Sequence, residues 1–356
     1  MKNLILLAFI LSLQIPLQAQ DFVSVCDRGV VGDAIVAELG AESCDKVKAE
    51  DFKVIAILQV KSSEPYSIPA NAFAGFEAAV ITISGMHSSI HPDAFRGMST
   101  HMLSIRTQAD SLPDGLFKEV SLHKLSLHFT KKVTLSAGLL SKAKIEELAM
   151  GSEEGLILPS GILDPLQSSV YEITFKNIEI PQLEKLAKNL PRLNKLTLEK
   201  NMITTLTPST FSAVKNLRIL NIMGNPISVI EDGAFQHSEF LMQLFMQDTT
   251  IESLSEKTFQ GLESLEELIL MNSSLKSLSV NFLESLERII TLNFTKTQIA
   301  EFPKGIFANS PYLTRLTILE SPLKSFSRSE TGLNLDTKVN INPFIGTPEG
   351  DVVVEP

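Results

Sequence analysis

The sequence predicts a β-rich α/β solenoid of about twelve stacked coils, with one parallel sheet lining a face. Three observations predict it. One apolar pattern recurs every 24 residues in the second half of the chain. Leucine supplies 49 of the 356 residues, and aromatic residues make up only 6%, with no tryptophan. Leucine enrichment at a fixed period marks a repeat architecture, in which each unit buries its apolar face against its neighbours.

The best copies define the unit. Leu193-x-x-Leu196-x-Leu198-x-x-Asn201-x-Ile203-x-x-Leu206 is followed by Phe211, and Leu217, Leu220, Ile222, Asn225, Ile227 and Ile230 are followed by Phe235. Further copies pair Leu244 with Met246, Leu268 with Leu270, Leu292 with Phe294 and Leu316 with Ile318. Looser copies, 22 to 25 residues apart, centre on Leu58/Val60, Ile81/Ile83, Leu103/Ile105, Leu125/Leu127, Leu148/Met150 and Ile173/Phe175. The alternation within each pair is that of a short strand with its apolar face inward.

Asn201 and Asn225 are expected to turn inward at the bend and to satisfy backbone groups there. Ser63, Thr130, Thr249, Ser273, Thr297 and Ser321 hold that position elsewhere, where a hydroxyl makes fewer bonds. Phe73, Phe95, Phe117, Phe211, Phe235, Phe259 and Phe307 fall on the return side of the coil and are expected to fill its wider half.

These motifs resemble the leucine-rich repeat family, over residues 53–328. The resemblance implies a horseshoe with a parallel concave sheet, an irregular or short-helical convex side, and a binding surface on the concave face. It is specific for fold and nearly silent on function.

The segments flanking the repeats complete the domain plan. Residues 1–20 read as a signal peptide: Lys2, an apolar run over 4–13, then Pro16 and Leu17-Gln18-Ala19. That run is too short to span a bilayer, and export to the periplasm, cell surface or extracellular space is expected. Cys26 and Cys44 then meet an oxidising compartment and are expected to pair, closing a loop worth roughly 3 kcal/mol. Residues 31–39 read as an amphipathic helix ended by Gly40, and 46–52 as a second helix. Residues 21–52 thus form a helical N-terminal cap, which resembles the caps of bacterial secreted proteins of the family such as internalins. Residues 329–356 break the period and read as a C-terminal cap and mobile tail.

Candidate functional residues lie in the outward columns of the strands. The position between the paired apolar residues is polar or small in most coils, for example Gln59, Ser104, Ser126, Thr197 and Asn221. Phe245 and Ile269 break that rule. With Ile219, Met223, Met242, Met271 and Ile290 they form a candidate partner-binding patch. A second column places His101, His123 and Glu146 on neighbouring strands, about 4.8 Å apart, as a solvated polar stripe or the beginnings of a metal site. The stripe is the favoured reading, and no metal or cofactor is expected.

No nucleophile elbow, zinc-protease or nucleotide-binding motif occurs, so no catalytic residue is assigned. The net charge of −10 disfavours binding to nucleic acid. Asn272-Ser-Ser and Asn293-Phe-Thr are glycosylation sequons that matter only in a eukaryotic secretory route. A secreted recognition module that binds a protein, or a surface glycan, fits these features. A structural component of an envelope or matrix without a discrete ligand is the alternative.

Overall fold

A computed structural model describes residues 23–180, 182–343 and 354–355. The predicted signal peptide, and residues 344–353 and 356 of the predicted C-terminal segment, lie outside the described residues. Thirteen strands form one parallel sheet in chain order. They are β1 (Ile57–Ile68), β2 (Glu77–Ile90), β3 (Ser99–Thr107), β4 (Ser121–Phe129), β5 (Lys144–Ser152), β6 (Glu172–Lys176), β7 (Lys195–Glu199), β8 (Ile219–Asn221), β9 (Gln243–Phe245), β10 (Glu267–Ile269), β11 (Thr291–Asn293), β12 (Arg315–Ser321) and β13 (Lys338–Pro343). The repeat accounts for the first twelve. The thirteenth continues the sheet beyond the last leucine motif, pairing Val339 with Leu316 and Ile341 with Ile318.

Each coil follows from the alternation. Leu196 and Leu198 face inward and are buried, while the alternating Lys195, Thr197 and Glu199 are partly exposed. Register then repeats without slip through the late coils: Leu196, Leu220, Leu244, Leu268, Leu292 and Leu316 are successive partners. The inward residues of all coils form one continuous core.

Asparagine closes the bend. Asn225 is fully buried; its Oδ1 accepts from the backbone N–H of Asn201 and Ile203, and its Nδ2 donates to the carbonyls of Leu198, Ile222 and Met223. Asn201 links coils in the same way, to Ile178 N–H and Phe175 carbonyl. Ser273 does less, donating only to Leu270 carbonyl, whereas Ser321 accepts from Thr297 N–H at 3.3 Å and donates to Phe294 carbonyl at 3.1 Å, linking coils as the asparagines do. Ser63 departs from the expected place. It is exposed, because β1 bulges after Ser62 and puts Tyr66 inside instead.

The seven expected phenylalanines are all buried and stack along the convex half, with ring centroids 5.2 Å apart for Phe73–Phe95 and 5.6 Å for Phe211–Phe235. Between Phe117 and Phe211 the same level holds Leu140, Leu163 and Ala187, all buried. A small apolar cavity lies beside Ala187, lined by Leu163, Phe175, Leu190, Leu196 and Val214.

The cap docks on the first coil. Helix α1 (Val30–Leu39) buries Val31, Gly32 and Ile35, and ends at left-handed Gly40. Gly32 is required, since a Cβ there would sit 2.1 Å from the Val25 carbonyl oxygen. The second expected helix is instead two 3₁₀ turns, Cys44–Lys46 and Ala49–Val54. Cys26 and Cys44 are disulfide-bonded. Arg28, 1% exposed, donates to the carbonyls of Ala72 and Ala74 in the next coil and lies over the Phe52 ring. Among the described residues no helix is long and apolar enough to cross a membrane.

Candidate functional site

The outward face of the sheet carries the candidate residues, because period-two alternation sends every second side chain away from the core. Phe245 on β9 and Ile269 on β10 are register partners, with Asn221 on one side and Asn293 on the other. Phe245 is partly exposed. Ile269 is only 7% exposed, so its neighbours cover most of a side chain that points away from the core.

The remaining patch residues are interleaved with polar ones. Ile219 lies between Lys195 and Gln243 in register, and Gln243 donates to Glu267 at 2.8 Å. Gln247 separates Met223 from Met271, as the ladder bonds from Gly224 to Gln247 and from Asp248 to Met271 show. Glu266 likewise separates Met242 from Ile290; the Arg218 guanidinium approaches the Met242 sulfur at 3.7 Å, and Ile290 is 38% exposed. The sheet therefore joins Phe245 and Ile269 directly and sets the other five around them as separate apolar points.

The early coils build a polar site on the same face. His101 and His123 stack with ring centroids 4.2 Å apart. His123 Nδ1 meets Glu146 at 3.0 Å and Nε2 meets Glu147 at 3.2 Å. Glu147 also accepts from Tyr171 at 2.7 Å and from Lys124 at 3.1 Å. Burial works against the Glu147 carboxylate, but the bonds from Tyr171 and Lys124 outweigh it and hold its pKa below the ordinary value. Burial and that same carboxylate push the Tyr171 hydroxyl up. Farther along, Arg106 and His128 both face Glu153. Among the described residues no three His, Cys, Asp or Glu side chains are arranged to hold a metal ion.

Sequence reasoning places His101, His123 and Glu146 in one column and Lys124 in the polar stripe beside it, but misses Glu147 and Tyr171. Glu147 and Lys124 sit in the adjacent column as register partners, and the Tyr171 hydroxyl reaches Glu147 from the next coil.

Comparisons with known proteins agree with this geometry. A BspA-type leucine-rich repeat region model matches residues 48–157, and a leucine-rich repeat model matches 184–227 and 215–275. No curated protein matches the sequence at a significant level. Among solved structures, an internalin (inlF) of Listeria monocytogenes is 14% identical, with a TM-score of 0.59 over 91% of this chain and 94% of that one. A chain of the Toll–Spatzle complex of Drosophila is 18% identical, with a TM-score of 0.58 over 75% of this chain. The match spans 42% of that longer chain. A chain of the octameric complex of Latrophilin 3, Unc5D and FLRT2 (LRR) is 18% identical, with a TM-score of 0.56 over 69% of this chain and 76% of that one. With the two repeat models together matching more than half of its length, and thirteen strands stacked in parallel on a phenylalanine-lined back, the chain belongs to the leucine-rich repeat family.

Proposed function

We propose that the chain is a secreted recognition module that binds a protein on its concave face, centred on Phe245. One observation carries the reading. Across thirteen strands, the central outward column is polar or small except at Phe245 and Ile269, which are side by side. A large apolar side chain that the core does not need, with Ile269 beside it and Met242, Met271 and Ile290 as separate apolar points on the same coils and the next, is the usual form of a partner's anchor point. Gln243, Glu266 and Glu267 supply a polar rim. The sparse aromatic content and net charge of −10 suit a protein partner better than nucleic acid.

Two fold neighbours support the class of function: their structures are of complexes between proteins, Toll with Spatzle, and Latrophilin 3 with Unc5D and FLRT2. In this reading residues 1–20 direct export, 21–52 cap the first coil, 53–328 form the repeats, and 329–356 close the far end.

The test uses the mature chain, residues 21–356, immobilised and exposed to proteins of its own extracellular environment. Binders are quantified against the Phe245→Asp variant. Loss of a central anchor is worth about 2 kcal/mol, or about 30-fold in affinity. A Lys257→Asp variant on the convex side serves as control and is expected to bind as the parent does. A binder that ignores Phe245→Asp, or the lack of any saturable binder, overturns the reading.

A further inference from the structure

His87 is 2% exposed, and neither of its ring nitrogens has a hydrogen-bond partner in the protein among the described residues. It sits on β2 opposite Tyr66 of β1, where the register between the two longest strands slips twice. The rings meet at a centroid distance of 5.7 Å. The Tyr66 hydroxyl is spent on the Ser84 carbonyl at 2.8 Å, and burial pushes its pKa up to about 12. It therefore offers the imidazole nothing to accept a proton's charge. An imidazole buried this way is stable only when neutral, because an imidazolium there is a desolvated, unpaired charge.

The surrounding ionisable groups are already engaged or exposed. On β1, Lys61 and Glu64 are exposed. Beside and beyond β3, Arg106 pairs with Glu153, and Asp110 with Lys131. Past the end of β2, His91 faces Asp93. The turn Ala49–Val54, which packs on β2, brings Asp51, whose carboxylate caps Lys48 N–H, and exposed Glu50 and Lys53. None of these is hydrogen-bonded or ion-paired to His87.

We propose that His87 is an acid-sensitive latch: its protonation opens the bulged junction of β1 and β2 and loosens the cap docked on them, while the late coils that carry Phe245 stay closed. The direction follows from linkage. Desolvation alone lowers the His87 pKa below its ordinary 6.5. The opened segment therefore takes up a proton that the closed one refuses. The stabilisation is complete above about pH 6.5 and falls as pH drops toward the lowered value. The opening constant then rises by up to about tenfold per pH unit. His91, His123 and His128, by contrast, each lie within 4.0 Å of a carboxylate oxygen, a contact that His87 lacks.

Amide hydrogen exchange of the full mature chain between pH 7.5 and 5, corrected for intrinsic rates, reads this directly. Opening of residues 57–90 is expected to increase by about tenfold or more over that range, with residues 291–321 unchanged. His87→Leu and His87→Phe, which differ in volume, are each expected to abolish the increase. An acid response spread evenly over all coils, or none in residues 57–90, overturns the proposal from the parent protein alone. An undiminished response in a folded variant overturns it as well.

Discussion

Strands β1 to β5 run for 9 to 14 residues, whereas β8 to β11 run for three each. The difference begins two residues after the second inward side chain. In the late coils that level holds Asn177, Lys200, Gly224, Asp248, Asn272, Lys296 and Glu320, all left-handed, with φ between 52° and 72°. The chain turns there, and the next residue, Asn201, Asn225 or a hydroxyl, drops inward to bind the backbone. In β3 to β5 the same level holds Thr107, Phe129 and Ser152, which are buried as a third inward strand residue, while β1 and β2 hold Ser62 and Gly85 there, half-buried ahead of the bulge. A lysine or aspartate at that level cannot enter the core, so the chain must bend; a phenylalanine can, so the strand continues. One family thus builds one sheet with two kinds of bend, and the boundary between the two matched repeat models, residues 157–184, falls where the phenylalanine column lapses to leucine and alanine.

The asparagine bend is the largest test of this contrast. Asn225→Ala leaves at least four buried backbone groups without their partner and is expected to cost about 3 kcal/mol or more. Thr130→Ala removes one bond to Thr107 carbonyl in an early coil and is expected to cost under about 1 kcal/mol. Urea unfolding of both variants measures the difference; equal costs would mean that the bends are interchangeable.

A smaller effect separates the two apolar residues of the candidate site. Ile269→Ser deletes a covered side chain and is expected to cost about 2 kcal/mol, while Phe245→Ser, partly exposed, is expected to cost under about 1 kcal/mol. Thermal unfolding of the two single variants checks this order. A reversal would place Phe245, not Ile269, in the packing of the sheet.

The smallest expected effect probes backbone alone. Lys200→Val puts a β-branched residue at φ 56° and is expected to cost about 1 to 2 kcal/mol by urea titration. Thr107→Val, at the extended early equivalent, is expected to be milder on the backbone but to lose the hydroxyl's bond to Ala109 N–H at 2.9 Å. If Lys200→Val is neutral, the left-handed column does not set the strand length.

Much of the molecule is legible in the sequence. The inward leucines, the phenylalanine column, helix α1 and the Cys26–Cys44 pair all follow from local pattern, because each side chain's direction is fixed by its place in a period of two or 24. Phe245 and Ile269 were locatable as an adjacent outward pair for the same reason. Other features depended on neighbours that only the folded stack supplies. Ile269 is almost buried in the stack, where Phe245 and Asn293 are its register partners. The Glu147 network joins Lys124 and Tyr171 across coils of unequal length. The β1 bulge exchanges Ser63 for Tyr66 and leaves His87 buried beside it. The thirteenth strand carries no leucine motif, yet Val339 and Ile341 pair because the open edge of β12 presents the ladder. Period and direction are properties of the chain, whereas burial, pairing and charge are decided by what the next coil places about 4.8 Å away.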